Sequence, residues 1–121
     1  MFFGPSSLSE SVATVCRAAE RLKRSGQPPI TLFWFSGSKK FRSELTESVL
    51  VGELRAHPEL IESWRSFSAD KRYSPAWYFD EKSTGTWMVG YYHKDNSKRV
   101  EVTYTDQTVA CANFILREMG A

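Results

Sequence analysis

A chain of 121 residues, 41% hydrophobic and 25% charged, reads as one globular domain spanning 1–121 and long enough to bury a core. No run approaches the roughly 18 consecutive apolar residues of a membrane span, and the opening MFFGPSS lacks the basic and apolar regions of a secretory signal. A net charge of +2 argues neither for nor against nucleic acid, so the expected address is cytoplasmic and the partner has to be sought in the pattern.

In chain order, Ser7-Leu-Ser-Glu10 has the form of a capping box, with the hydroxyl taking an amide of the first turn. Leu8, Val12, Val15, Ala19 and Leu22 then recur at helical steps, and Arg24-Ser-Gly26 followed by Pro28-Pro29 predicts the stop. Ile30–Phe35, ITLFWF, is a β-branched and aromatic run that predicts a strand buried on both faces. From about Phe41 to Ala56 a second helix is expected, with Leu45, Val49, Gly52 and Ala56 as its stripe and Glu44 and Glu47 near its start. Pro58 suits the first turn of a third helix, whose apolar face is Leu60, Ile61, Trp64 and Phe67. Residues 68–75 read as a polar loop.

Three strands follow, at Ala76–Asp80, Thr86–His93 and Lys98–Tyr104, joined by turn-rich Glu81–Gly85 and Lys94–Ser97. In the last strand Val100, Val102 and Tyr104 alternate with Arg99, Glu101 and Thr103, predicting one covered and one wet face. Asp106 is placed to cap a final helix with Val109, Ala112, Ile115, Leu116 and Met119 inward. The order is α-β-α-α-β-β-β-α. The expected class is therefore α+β, an antiparallel sheet of about four strands packed against helices.

The chain displays no constellation for catalysis. His57 precedes a proline and His93 stands at a hairpin mouth, neither with a second ligand at metal spacing. Cys16 and Cys111 sit in apolar helical patterns without a CxxC partner; they read as buried free thiols, the alternative being one long-range disulfide. Ser36-Gly-Ser38 with Lys39 and Lys40 lacks the frame of a phosphate loop and reads as an ordinary strand–helix connection. No enzyme activity, cofactor or metal is expected.

The densest aromatic segment is SPAWYFDEKSTGTWMVGYY, Ser74 to Tyr92. Stacking platforms for nucleic acid are flanked by Lys and Arg. This one is flanked by Asp80 and Glu81, in a stretch where residues 44–81 carry eight acids against four bases. Residues 1–43 are the reverse, with seven bases and two acids. A phosphate backbone is repelled by the acidic stretch, whereas a basic protein surface fits it.

The quoted motifs WYFDEKSTGTWMVGYYHKDN and YTDQTVACANFILREM resemble small bacterial immunity proteins of contact-dependent growth inhibition and related polymorphic toxin systems. The resemblance covers about Trp77 to Met119, a third of the chain, and rests on core and turn residues. It implies a cytosolic antitoxin without catalysis that binds and occludes a cognate toxin domain, often a nuclease. Antidotes to nucleases are frequently acidic, and a chain of +2 departs from that pattern.

The expected contact set is Glu59, Glu62, Asp70, Tyr78, Asp80, Glu81 and Tyr92. Trp77, Phe79, Trp87 and Val89 face the core on the other side of the hairpin. Two other functions compete. One is a small adaptor or regulatory domain using the same sheet. The other is a ligand-binding domain with a pocket of Trp34, Trp64, Trp77 and Trp87.

Overall fold

The computed structural model describes residues 7–19, 44–69 and 76–118. Helix α1 (Leu8–Cys16) starts where its cap requires: extended Ser7 accepts the Glu10 amide at 3.2 Å. Its buried side is Ser11, Val12, Val15 and Cys16. The stop at Arg24–Gly26 and the strand at Ile30–Phe35 lie outside the described residues.

Helix α2 (Glu47–Ala56) starts later than its apolar spacing suggests. Thr46 is extended, with ψ of 165°, and its hydroxyl takes the Val49 amide at 3.4 Å, so the helix begins after it. Packing against α1 and the C-terminal helix selects its buried side. Leu50 and Leu54 are buried, while Gly52 and Ala56, expected inside, are exposed. Leu45 is buried as anticipated, but ahead of the helix rather than within it.

His57 ends α2, and α3 (Glu59–Ala69) follows at once, burying Leu60, Ile61 and Trp64 with Phe67 half-covered. The Ile61 amide bonds the Pro58 carbonyl at 3.1 Å, consistent with proline in the first turn.

Strands β1 (Ala76–Ser83), β2 (Thr86–Tyr92) and β3 (Val100–Tyr104) form an antiparallel meander in the order β1-β2-β3. The sheet thus has three described strands rather than about four. β1 also runs three residues past its expected end at Asp80, through Ser83. Ser83 pairs with Thr86 across a bulge, leaving a two-residue turn, Thr84-Gly85. Gly85 carries φ of +79°, a conformation that favours glycine. At the second turn Asn96–Lys98 is a short 3-10 segment, so β3 begins at Val100 and not Lys98. Asp95 accepts from the Ser97 amide at 3.0 Å and hydroxyl at 2.8 Å, bonds that hold its carboxyl below its ordinary range.

Helix α4 (Gln107–Glu118) closes the fold against the sheet, burying Ala110, Cys111, Ala112, Phe114 and Ile115. Asp106 caps it, accepting the amides of Thr108 at 2.9 Å and Val109 at 3.4 Å. Arg55 of α2 adds an ion pair to the same carboxylate at 3.1 Å. Desolvation pulls the Asp106 carboxyl upward, but the two amides and Arg55 outweigh it, and the net shift is down. A depressed carboxyl stabilises the fold above its unfolded pKa, and that contribution is lost as the pH falls through the folded one. Asp106→Ala is therefore expected to cost about 1 kcal/mol at neutral pH. In denaturation followed from pH 7 toward acid, the difference from the parent should shrink.

The core is aromatic at its centre. Phe79 of β1 stacks on Phe114 of α4 at 5.8 Å, and Trp64 meets Phe114 edge-on at 6.0 Å. The indole nitrogen of Trp64 donates to the Cys16 carbonyl at 2.8 Å, tying α3 to the end of α1. Cys16 and Cys111 are free and fully buried. Burial pushes the Cys16 thiol up to about 12, and Cys111 well above its ordinary value. No described helix is long and apolar enough to cross a membrane.

Candidate partner-binding surface

Strand alternation divides the hairpin cleanly. Phe79 and Val89 pair across β1 and β2 and are buried, with Trp77 and Trp87 half-buried on the same side, facing α3 and α4. Arg117 of α4 lies 5.1 Å above Trp77 and Arg65 of α3 lies 5.4 Å above Trp87, so cationic side chains finish the cover. Most of the aromatic density from Ser74 to Tyr92 is thus core and its lid.

Tyr78, Asp80, Met88, Gly90 and Tyr92 occupy the opposite face, joined by Glu101 and Thr103 of β3. Its middle is Gly90, which pairs with Tyr78 on one side and Glu101 on the other. The Tyr78 ring lies across the glycine: a β-carbon at Gly90 would overlap its Cζ and hydroxyl oxygen. Burial raises the Tyr78 phenol above its ordinary value, with Glu101 adding to the shift and Lys82 and Arg99 opposing it. Lys82 of β1 reaches Glu101 of β3 at 2.9 Å, a bridge that spans the central strand. Tyr92 is 47% exposed and carries the Arg99 guanidinium 4.7 Å above its ring.

The expected contact residues therefore fall in three places. Tyr78, Asp80 and Tyr92 share the outer sheet face. Glu81 pairs with Trp87, whose side chain is on the helix side, and is itself exposed at the strand's margin. Glu59 and Glu62 are exposed in the first turn of α3. Asp70 lies outside the described residues.

Asp80 is an ion-pair member rather than a free charge, since Arg65 of α3 holds it at 3.0 Å. Arg65 stands one turn beyond Glu62, so the helical acids approach Asp80 through an intervening cation. Glu101 is likewise matched by Lys82. The face is an aromatic plate within a rim of matched charge, not an acidic patch.

Sequence reasoning passed over Lys82, Met88, Gly90, Arg99 and Glu101 as members of this face. Gly90 was the available signal, because glycine inside a strand marks a close approach.

The histidines are built into junctions. The His57 backbone amide closes α2 onto Glu53 at 3.1 Å, and His93 Nδ1 accepts the Asp95 amide at 2.9 Å in the turn. Among the described residues no group of three His, Cys, Asp or Glu is placed to hold a metal. Of the four tryptophans, Trp64 is sealed in the core with its nitrogen satisfied, which leaves it no face toward a ligand. Trp34 lies outside the described residues. Compared with protein families, curated proteins and solved structures, the chain finds no match.

Proposed function

We propose that this chain is an antidote to a bacterial toxin, binding the toxin domain through the outer face of its sheet and blocking it without catalysis. The observation that supports this reading best is the face itself. Tyr78 lies over Gly90 beside Asp80 and Glu101, which are already paired to Arg65 and Lys82, and Tyr92 stands half-exposed at the open end of the hairpin. Aromatic anchors at the centre with polar groups around them are how protein interfaces concentrate binding energy.

The exposed acids divide the work with the aromatics, Glu59 standing 3.6 Å from the His57 ring. Glu59, Glu62 and Glu81 bring a basic partner in, and burial of Tyr78 and Tyr92 slows its departure. Matched charge on the face fits a chain of +2, since such a surface does not mimic a phosphate backbone. The partner contact then lies on a folded surface of the toxin, beside or over its active site.

The experiment starts from the reading frame next to this one. A large secreted protein with a variable C-terminal domain encoded there supplies the probe. Reversing Asp80 and Glu81 together to lysine is expected to slow association with that domain by about tenfold and to flatten its salt dependence, with little change in dissociation. Unchanged association kinetics would remove the acidic margin from the contact. Absence of such a neighbouring frame would favour an adaptor function for the same surface.

A further inference from the structure

Arg99 stands just ahead of β3, and the turn that carries it holds its side chain in place. Its Nε donates to the His93 carbonyl at 2.7 Å, and its guanidinium lies 4.7 Å above the Tyr92 ring. The turn is braced in its own right. His93 stacks on Tyr91 at 6.2 Å and accepts the Asp95 amide, while Asp95 accepts from Ser97. Contact with Tyr92 puts Arg99 on the outer face, and its charge reaches the Tyr78 phenol, whose upward shift it opposes. Arg99 is exposed, and its two terminal nitrogens bond nothing among the described residues. The acids beside it are engaged elsewhere, Glu101 by Lys82 at 2.9 Å and Asp95 within the turn.

We propose, resting on the antidote reading, that Arg99 is a carboxylate-binding fork which takes the side chain of one Asp or Glu of the toxin domain beside Tyr92. A guanidinium fixed through Nε and a ring face keeps two parallel N–H groups for the two oxygens of a carboxylate. Its long side chain is ordered before the partner arrives, so little freedom is lost on binding. Arginine and tyrosine are also the residues in which interfaces concentrate their energy.

Charge favours a protein carboxylate over the phosphates of nucleic acid. Lys94 and Lys98 are exposed in the same turn and raise the potential at this end of the sheet. A phosphate backbone follows a continuous cationic groove, which a face with Asp80 and Glu101 on it and Glu81 at its margin does not offer. Glu81 pairs with Trp87, five residues of β2 before Tyr92, a separation of about 17 Å. That is about twice the screening length of roughly 8 Å at physiological salt, so the anionic and cationic ends act separately. The partner surface is then bipolar, basic opposite Glu81 and acidic opposite Arg99, and docks in one orientation.

The test uses the whole chain and the C-terminal domain of the secreted protein expected in the neighbouring frame. Arg99→Lys keeps the charge and loses the fork, and should weaken binding about tenfold, mainly through faster dissociation. Lys94→Gln with Lys98→Gln should slow association and leave dissociation unchanged. Replacing the domain's Asp and Glu residues singly by Asn and Gln should find one whose loss weakens the parent about tenfold and Arg99→Lys hardly at all. A mere brace for the turn would show no such coupling. Equal binding by the parent and Arg99→Lys, or a scan with no acid coupled to Arg99, overturns the fork and leaves the antidote reading standing. A single-stranded oligonucleotide retained by the parent and released by Arg99→Lys would assign the fork to phosphate and overturns it equally. A parent that does not bind the domain removes both.

Discussion

Trp64→Ala is expected to lower the unfolding free energy by about 3–5 kcal/mol, a large share of the 5–15 kcal/mol of an ordinary domain. Three losses combine. The indole fills the space between Phe67 at 5.4 Å and Phe114 at 6.0 Å, and alanine leaves a cavity there. Its nitrogen also donates to the Cys16 carbonyl at 2.8 Å, a buried bond that alanine cannot make. Finally, the bond ties α1 to α3 across the core, so its loss frees the first helix.

Trp64→Phe separates these contributions. It keeps most of the packing and removes only the buried hydrogen bond, and should cost about 1–3 kcal/mol. Urea denaturation of the three proteins checks the order. Equal midpoints for parent and Trp64→Phe would mean that the hydrogen bond adds nothing.

Gly90→Val should behave in the opposite way, leaving the fold and damaging the surface. The new side chain takes the space in which the Tyr78 ring lies, and what it meets is the far end of that ring, which can rotate away. Valine also suits a strand better than glycine, so the net change in stability is expected within about 1 kcal/mol. The displaced ring no longer forms the flat centre of the outer face. Binding to the toxin domain is expected to weaken by about 2 kcal/mol or more, roughly thirtyfold, as for loss of a central anchor. Tyr78→Ala alone should impair binding to a similar degree, because it removes the same anchor.

What the sequence made legible follows from how local each cause is. Ser7 and Asp106 act on amides within three residues, and both caps stand where the sequence placed them. The turn after β2 was marked by Asp95 in the same way. The phase of α2 was misread because Leu45, Val49, Gly52 and Ala56 also fit helical spacing. Packing on α1 and α4, which spacing does not reveal, puts burial on Leu50 and Leu54. Val100 and Val102 alternate as a covered strand should, but alternation fixes the side a residue faces and not whether a helix extends over it.

The candidate surface was legible in part for the same reason. Tyr78, Asp80 and Tyr92 share a strand parity and were placed together. The cations that neutralise the acids come from α3 for Asp80 and from across the sheet for Glu101, at separations no local pattern reveals. An acidic margin read along the chain became a neutral aromatic face once Arg65 and Lys82 were in position. Glu59, Glu62 and Glu81 are the part of that margin that remains exposed and acidic.

The central claim is that the Tyr78–Gly90 face grips a toxin domain, and titration calorimetry tests it most directly. The probe is the purified C-terminal domain of the secreted protein that the proposal expects in the neighbouring frame, titrated into the parent and into Gly90→Val at matched circular dichroism. Saturable binding to the parent, weakened about thirtyfold or more by Gly90→Val, is the expected result. Equal affinity of the two proteins, or no heat of binding with the parent, would contradict it.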